Sequence, residues 1–547
     1  MSLKDLAKKL YPAFIKNFSA TPCRLFLSAT NMKERAVIRH AVGDYPEKVW
    51  AAALNALQDA LKIKGGMNPT ILRADWVTAN ETVTWAECLE RIKAKRRNFF
   101  RKGIALDKNF NLAFTEQELN ANLILFTEEK RNGEFQADKA AAYCKRRFDC
   151  NFPKLVDADE VEIFDTAGIF IQEEMSEPLT ITAEGRRAVT IDDKEFFLKL
   201  VKKGSNYLSR QCGKNGKFIY GVYPCDDSKV PSYNSLLHFS TLYSMMEVYE
   251  NFGKAGDATL GKAISRGLEY GIEKFVFNRT FPDGQDASYI EDKKQLKLGA
   301  NGMALLALTK WTKIQSTKKY LPLMNSLARG IFYLQKQNGS FVHVLNAEDF
   351  TVKDEFRAQT YDSEAILGLL RLYTVTKDER LLESAERAFD YFIANDYSKN
   401  RDHWLSLAAN EITVYRPTKK IFRFALNNCL PYLSTIRDRE TSSPAFMMLI
   451  LSTKKMLYRM KTMSEMSKLL ERVDWKIFRE ALNRRAEKIL DGYFFPEVAM
   501  YFQNPERIVG SFFVRQEKFR VRIDDVKDNL SNFVAYVKHL DTEIYSA

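Results

Sequence analysis

From residue 193 onward, apolar positions recur at the spacing of one helix face and are interrupted by short polar breaks. The pattern predicts a helix at 193–211, then pairs at 235–252 and 258–277, 299–314 and 318–337, 363–376 and 379–394, 404–414 and 419–433, and 443–462 and 475–493. A last helix follows at 526–540. One helix, five pairs and a final helix make twelve, the number that six antiparallel hairpins need to close a ring. Pair starts lie roughly 40 to 80 residues apart, too uneven for a fixed-period solenoid.

Before residue 193 the periods mix. Residues 24–28 and 36–40 read as short strands. Between 46 and 64, Val49, Trp50, Ala53, Leu54, Leu57, Ala60 and Leu61 fall at helical spacing, and Gly65-Gly66 stops that helix. Residues 69–77 return to strand, 84–97 to helix and 161–172 to strand. The expected fold class is mainly α: a smaller α+β module over 1–190, then an (α/α)6 toroid of antiparallel helix pairs over 191–547. The module carries no glycine-rich phosphate loop, no H-E-x-x-H and no nucleophile elbow. Its densest polar stretch, 114–122, holds Thr115 and Glu118 at capping-box spacing, so helix capping competes there with a ligand site.

The links between hairpins share a form. Asn215-Gly216-Lys217-Phe218, Pro282-Asp283-Gly284, Gln337-Asn338-Gly339-Ser340-Phe341 and Gly510-Ser511-Phe512-Phe513 each end an outer helix on glycine and cross to the next inner helix. This rhythm over about 193–539 resembles the six-hairpin glycosidase superfamily, with its glycoside hydrolases and sugar epimerases. The resemblance speaks to architecture more than to reaction, since one toroid hosts many chemistries.

In that superfamily the inner helices begin at the open mouth of the barrel, which implies that polar residues at those starts share a cleft. In chain order they are Tyr233, Asn234 and His238; Glu291; Arg357, Tyr361, Asp362 and Glu364; Asp402, His403 and Trp404; and Arg520, Arg522, Asp524 and Asp525. Glycosidic chemistry needs one carboxyl to protonate the leaving oxygen and a second to activate water or attack carbon. Asp362 or Glu364 is the expected acid, and Asp524 or Asp525 the base or orienting group. His238 lies four residues after Asn234 on one helix face and is the expected proton relay. Tyr233, Asn234, Glu291, Arg357, Tyr361, Asp402, His403, Trp404, Arg520 and Arg522 are the expected substrate-binding set. Asp362 and Glu364 are two apart, so a helix points only one of them at the cleft. Read as a strand, 520–525 would aim Arg520, Arg522 and Asp524 to one side as a clamp for an acidic sugar. Ordinary N-capping competes for Asp402 and Asp525, and a structural core histidine competes for His238. The alternatives are an epimerase, in which His238 and His403 or Tyr233 and Glu291 serve as paired bases, and a scaffold that binds glycan or protein without turnover.

Composition narrows this further. At 547 residues, 46% hydrophobic and 28% charged, the chain has the balance of a globular protein too long for one core. The +13 charge is spread along the sequence with no nucleic-acid motif, so a solvated surface is expected, with oligo- or polysaccharide, acidic ones included, as the partner and no nucleic acid. Seven scattered cysteines argue against a disulfide framework, and five histidines without ligand spacing against a metal or other cofactor. With no signal-like N-terminus and no membrane-length apolar run, the expected location is the cytoplasm.

Overall fold

The computed structural model describes residues 2–18, 22–63, 65–253 and 258–542. By mutual contact they form two units. The first comprises Met1–Thr190, Gly221–Val230 and Asp491–Arg522; the second comprises Ile191–Tyr220, Pro231–Leu490 and Ile523–Ala547. The first unit thus gains two segments that the simple division at residue 190 assigned to the helical part.

In the second unit six inner helices pack side to side in a closed ring. The order is Ser235–Val248, Leu298–Gln315, Thr360–Thr376, His403–Tyr415, Ala445–Met460 and Ile523–Leu540, which returns to Ser235–Val248. An outer helix backs each: Ala258–Phe275, Leu321–Leu334, Glu379–Ala394, Lys419–Asn427, Trp475–Ile489 and Lys194–Gln211, in the same order. Burial follows position. Leu298–Gln315 is buried almost all round, whereas Glu379–Ala394 buries one stripe of Leu381, Leu382, Ala385, Ala388, Phe389 and Phe392. The predicted helix at 419–433 instead breaks after Asn427 and resumes as Leu433–Asp438.

The recurring Asn-Gly links have a common cause. Gly216 and Gly339 both adopt left-handed backbone, at φ 84° and 91°. A Cβ there would lie 2.1 Å from the Arg266 carbonyl oxygen and 2.2 Å from that of Arg387, each on the next outer helix. Only glycine meets both demands. Two links carry strands, in keeping with the extended stretch expected between outer and inner helices. Val276–Thr280, Asp286–Asp292, Gln295–Lys297, Val344–Asn346 and Val352–Asp354 form one antiparallel sheet.

The first unit is built on a seven-stranded antiparallel sheet. Val37–Gly43, Cys23–Thr30, Ile71–Thr84, Glu160–Gln172, Gly103–Ala105 and Ala113–Phe114 lie in that order, and Leu179–Ile181 also pairs with Glu160–Gln172. Helices Leu3–Asn17 and Pro46–Ile63 bury Leu10, Phe14, Trp50 and Leu57 against Leu25, Leu27 and Trp76. A separate core gathers Trp85, Ile92, Ile104, Leu119 and Tyr143. The stretch 520–525 is not one strand: Val521–Arg522 pairs with Gly221–Tyr223 in the first unit, and a helix starts at Ile523.

Candidate functional site

Five inner helices each follow a link and lead on to their outer helix, and the sixth, Ile523–Leu540, follows a link and packs on Lys194–Gln211, so the six run parallel and their first turns share one end of the ring. There Glu364 stands out. It lies in the first turns of Thr360–Thr376, is 4% exposed, and leaves Oε2 without a hydrogen-bond partner. Burial pushes its carboxyl up to about 8, reinforced by the charge of Asp402 and opposed by Lys527 and a hydrogen bond with Thr360. At neutral pH it therefore carries a proton. Gly299 on the neighbouring helix makes the room: a Cβ there would lie 2.3 Å from Glu364 Oε2 and 2.6 Å from the Tyr361 ring.

Around Glu364 the adjoining helix start supplies Asp402 and His403, and the start of Ile523–Leu540, across the ring, supplies Asp524, Lys527 and Asp528. Asp402 caps His403–Tyr415, accepting from the Trp404 N–H at 2.8 Å, and its other oxygen accepts from the Ser363 hydroxyl. Burial raises its pKa. Burial lowers that of His403, against the pull of Asp402, so its imidazole stays neutral. Burial opposes the charge on Lys527, but Asp528 and Asp524 outweigh it and hold the ammonium above its usual range. Lys527 Nζ lies 2.5 Å from Asp528 and 3.2 Å from Asp524. A protonated carboxyl, a neutral imidazole and carboxylates clamped on one ammonium are a set able to give and take protons within one site.

Asp362, two residues before Glu364, has a different fate. Its Oδ1 accepts from His343 Nε2 at 2.9 Å, and His343 Nδ1 accepts the backbone N–H of Arg357 at 2.9 Å. Nδ1 therefore holds its lone pair, which fixes His343 as the neutral Nε2–H tautomer. The pair ties the preceding link to the helix start. No second histidine stands at metal-ligand spacing from His343. Its partner is a carboxylate 19 residues on, a separation that no local motif marks.

His238 is similarly committed. Tyr233 accepts the Phe218 N–H at 3.0 Å and donates to His238 Nδ1 at 2.8 Å, while His238 Nε2 donates to the Gly267 carbonyl at 2.8 Å. Burial pushes the imidazole down to about 4. Both nitrogens thus serve to bind a link to its hairpin, and the proton-relay expectation gives way to a structural role. Asn234 caps its helix through the Leu237 N–H. Glu291 lies 3.7 Å from Arg279, and Arg357 hydrogen-bonds Gln295 at 2.7 Å and pairs with Asp354. Trp404 is buried. Asp525 sits in the first turn of Ile523–Leu540, its carbonyl accepting from Asn529 at 2.6 Å. Arg520 and Arg522 fall in the first unit and Asp524 in the second. Among the described residues no group of three or more His, Cys, Asp or Glu is gathered to hold a metal, and no helix is long and apolar enough to cross a membrane.

No family model matches the sequence, and no curated protein matches it. Among solved structures, a D-mannose isomerase is similar at 10% identity and a TM-score of 0.47, over 65% of this chain and 99% of that one. A cellobiose 2-epimerase from Bacillus thermoamylovorans gives 10% and 0.47 over 63% and 100%. An α-1,6-mannanase from a Salegentibacter species gives 11% and 0.43 over 63% and 99%. These are likenesses of chain path, and the chemistry of this chain is argued from its own residues.

Proposed function

We propose that the second unit is a carbohydrate-active enzyme in which Glu364 protonates a sugar oxygen. The observation that carries the reading is Glu364 itself: buried, protonated near neutral pH, with one oxygen unpartnered, at the ring end where six parallel helices begin. Hydrolysis is the favoured reaction. The Glu364 proton goes to the leaving glycosidic oxygen as the bond to the anomeric carbon breaks. Water attacks that carbon and gives its proton to Asp524, the carboxylate beside Lys527. Asp402 and His403 would orient substrate hydroxyls.

A second reading keeps the same residues. His403, held neutral beside Asp402, suits proton abstraction from carbon and so an epimerase or isomerase; His238, bound on both nitrogens, is excluded as its partner base. Incubation with neutral oligosaccharides and aldoses in heavy water separates the two. Hydrolysis yields new reducing ends without carbon-bound deuterium, and epimerisation or isomerisation yields deuterium at carbon. Turnover that survives Glu364→Gln in a folded protein would refute both. Saturable sugar binding without any product would instead favour the non-catalytic scaffold.

A further inference from the structure

The hairpin of Val276–Thr280 and Asp286–Asp292 packs on outer helix Leu321–Leu334, and a groove of about 740 Å3 opens beside the first turns of that helix. That volume is ordinary for a small-molecule site. Every residue that lines it belongs to the second unit.

Cross-strand partners share a face of a hairpin. Asn278 with Ser288, and Thr280 with Asp286, therefore face the helix, where Ser326 hydrogen-bonds Ser288 at 2.8 Å. Arg279 is paired with Ala287, stands on the opposite face and reaches Glu291. On the helix, Ser326 and Arg329 are three residues apart and share one side. The groove face thus holds one cation, Arg329, and one carboxylate, Asp286, both on exposed residues.

Those two charges do not pair with each other. Arg329 Nε donates to the backbone carbonyl of Asp286 at 2.9 Å, and its Nη2 donates to Ser326 at 3.2 Å. The Asp286 carboxylate accepts from the Thr280 hydroxyl at 2.7 Å, on Oδ1. Among the described residues, Asp286 Oδ2 and Arg329 Nη1 have no partner. Asn278 is similar: its Oδ1 accepts from the Ser288 hydroxyl, which leaves the amide N–H groups unused. Donors and a charged acceptor, each held by its neighbours, therefore border one groove with capacity to spare.

We propose that this groove binds a neutral sugar residue of an oligosaccharide. A sugar hydroxyl gives its proton to Asp286 and accepts from Arg329 or Asn278 at the same oxygen, and the adjacent hydroxyl repeats the pattern. One positive and one negative group offer an ionic ligand no net attraction. The C–H face of the ring lies on Ala287, Pro322 and Leu323, which also line the groove. The site uses none of the residues around Glu364 and does not depend on that reading.

The probes are D-glucose, D-mannose, D-galactose and a neutral trisaccharide, with D-glucuronate as the charged control. They are titrated into the full chain by calorimetry and saturation-transfer NMR. Arg329→Met and Asp286→Ala are the informative variants, since both residues are exposed. The expected result is saturable binding of a neutral sugar that each variant weakens about tenfold or more with Tm unchanged, and that Glu364→Gln leaves intact. Asn278→Asp, which trades the amide donors for a second carboxylate, repeats the test where either variant lowers Tm. No saturable binding by any neutral sugar, equal affinity in the variants, or tighter binding of D-glucuronate overturns the proposal. Binding lost only in Glu364→Gln belongs to the ring-end site and overturns it equally.

Discussion

Replacing Glu364 with glutamine tests the site from two sides. The side chain is buried and its carboxyl titrates near 8 instead of the ordinary 4.5. A raised carboxyl gives stability that is full below its unfolded pKa and is lost as pH rises toward its folded pKa, because the folded state then holds a proton that the unfolded state has released. At pH 7, roughly two and a half pH units above the unfolded value, this amounts to about 3 kcal/mol, of which local relaxation leaves about 1–3 kcal/mol. Glutamine keeps the shape of the protonated acid and never ionises. The variant should therefore match the wild type near pH 4.5 and exceed it in Tm by several degrees between pH 7 and 8, while losing turnover. Calorimetric Tm across pH 4 to 9, with product analysis on the same samples, reads both effects. Parallel Tm profiles across that window would refute the assignment of a protonated Glu364. Retained turnover would refute its role as acid.

In the wild type, activity should fall on the alkaline side with a midpoint near 8 as Glu364 ionises, read from kcat/KM against pH. His343→Phe leaves the buried Asp362 and the Arg357 N–H without their shared partner and should cost about 2–4 kcal/mol in denaturant titration; Asp362→Asn keeps an acceptor for His343 and should cost less. Gly299→Ala drives a methyl into Glu364 and Tyr361, so activity should drop sharply with about 1–3 kcal/mol of destabilisation; wild-type kinetics would show that the two helices yield at no cost. His238, depressed to about 4, makes the fold lose stability as pH falls from 6.5 to 4, because only the unfolded chain takes up that proton; His238→Phe should flatten this part of the Tm profile and leave the alkaline activity limb in place.

The sequence by itself determined the hairpins and their caps. An outer helix buries one stripe, so a local 3.6-residue period is enough to locate Glu379–Ala394. N-capping, the competing reading for Asp402, is what its side chain does, and Thr115 with Glu118 forms the capping box, because those bonds close within three residues. The same locality explains why two link glycines announced themselves. Tertiary structure alone decided what the chemistry-bearing side chains became. Asp362 and Glu364 are alike in the sequence, yet one meets His343 from the preceding link and the other is governed chiefly by burial and by like charge from the next helix. His238 was drawn into its hairpin by Tyr233 and the Gly267 carbonyl, and a helix start at Ile523 ended the strand expected over 520–525. Ionisation and pairing are set by desolvation and by neighbours that fold in from distant parts of the chain. Helix formation is set mostly within one turn, which is why the scaffold could be read residue by residue and the site could not.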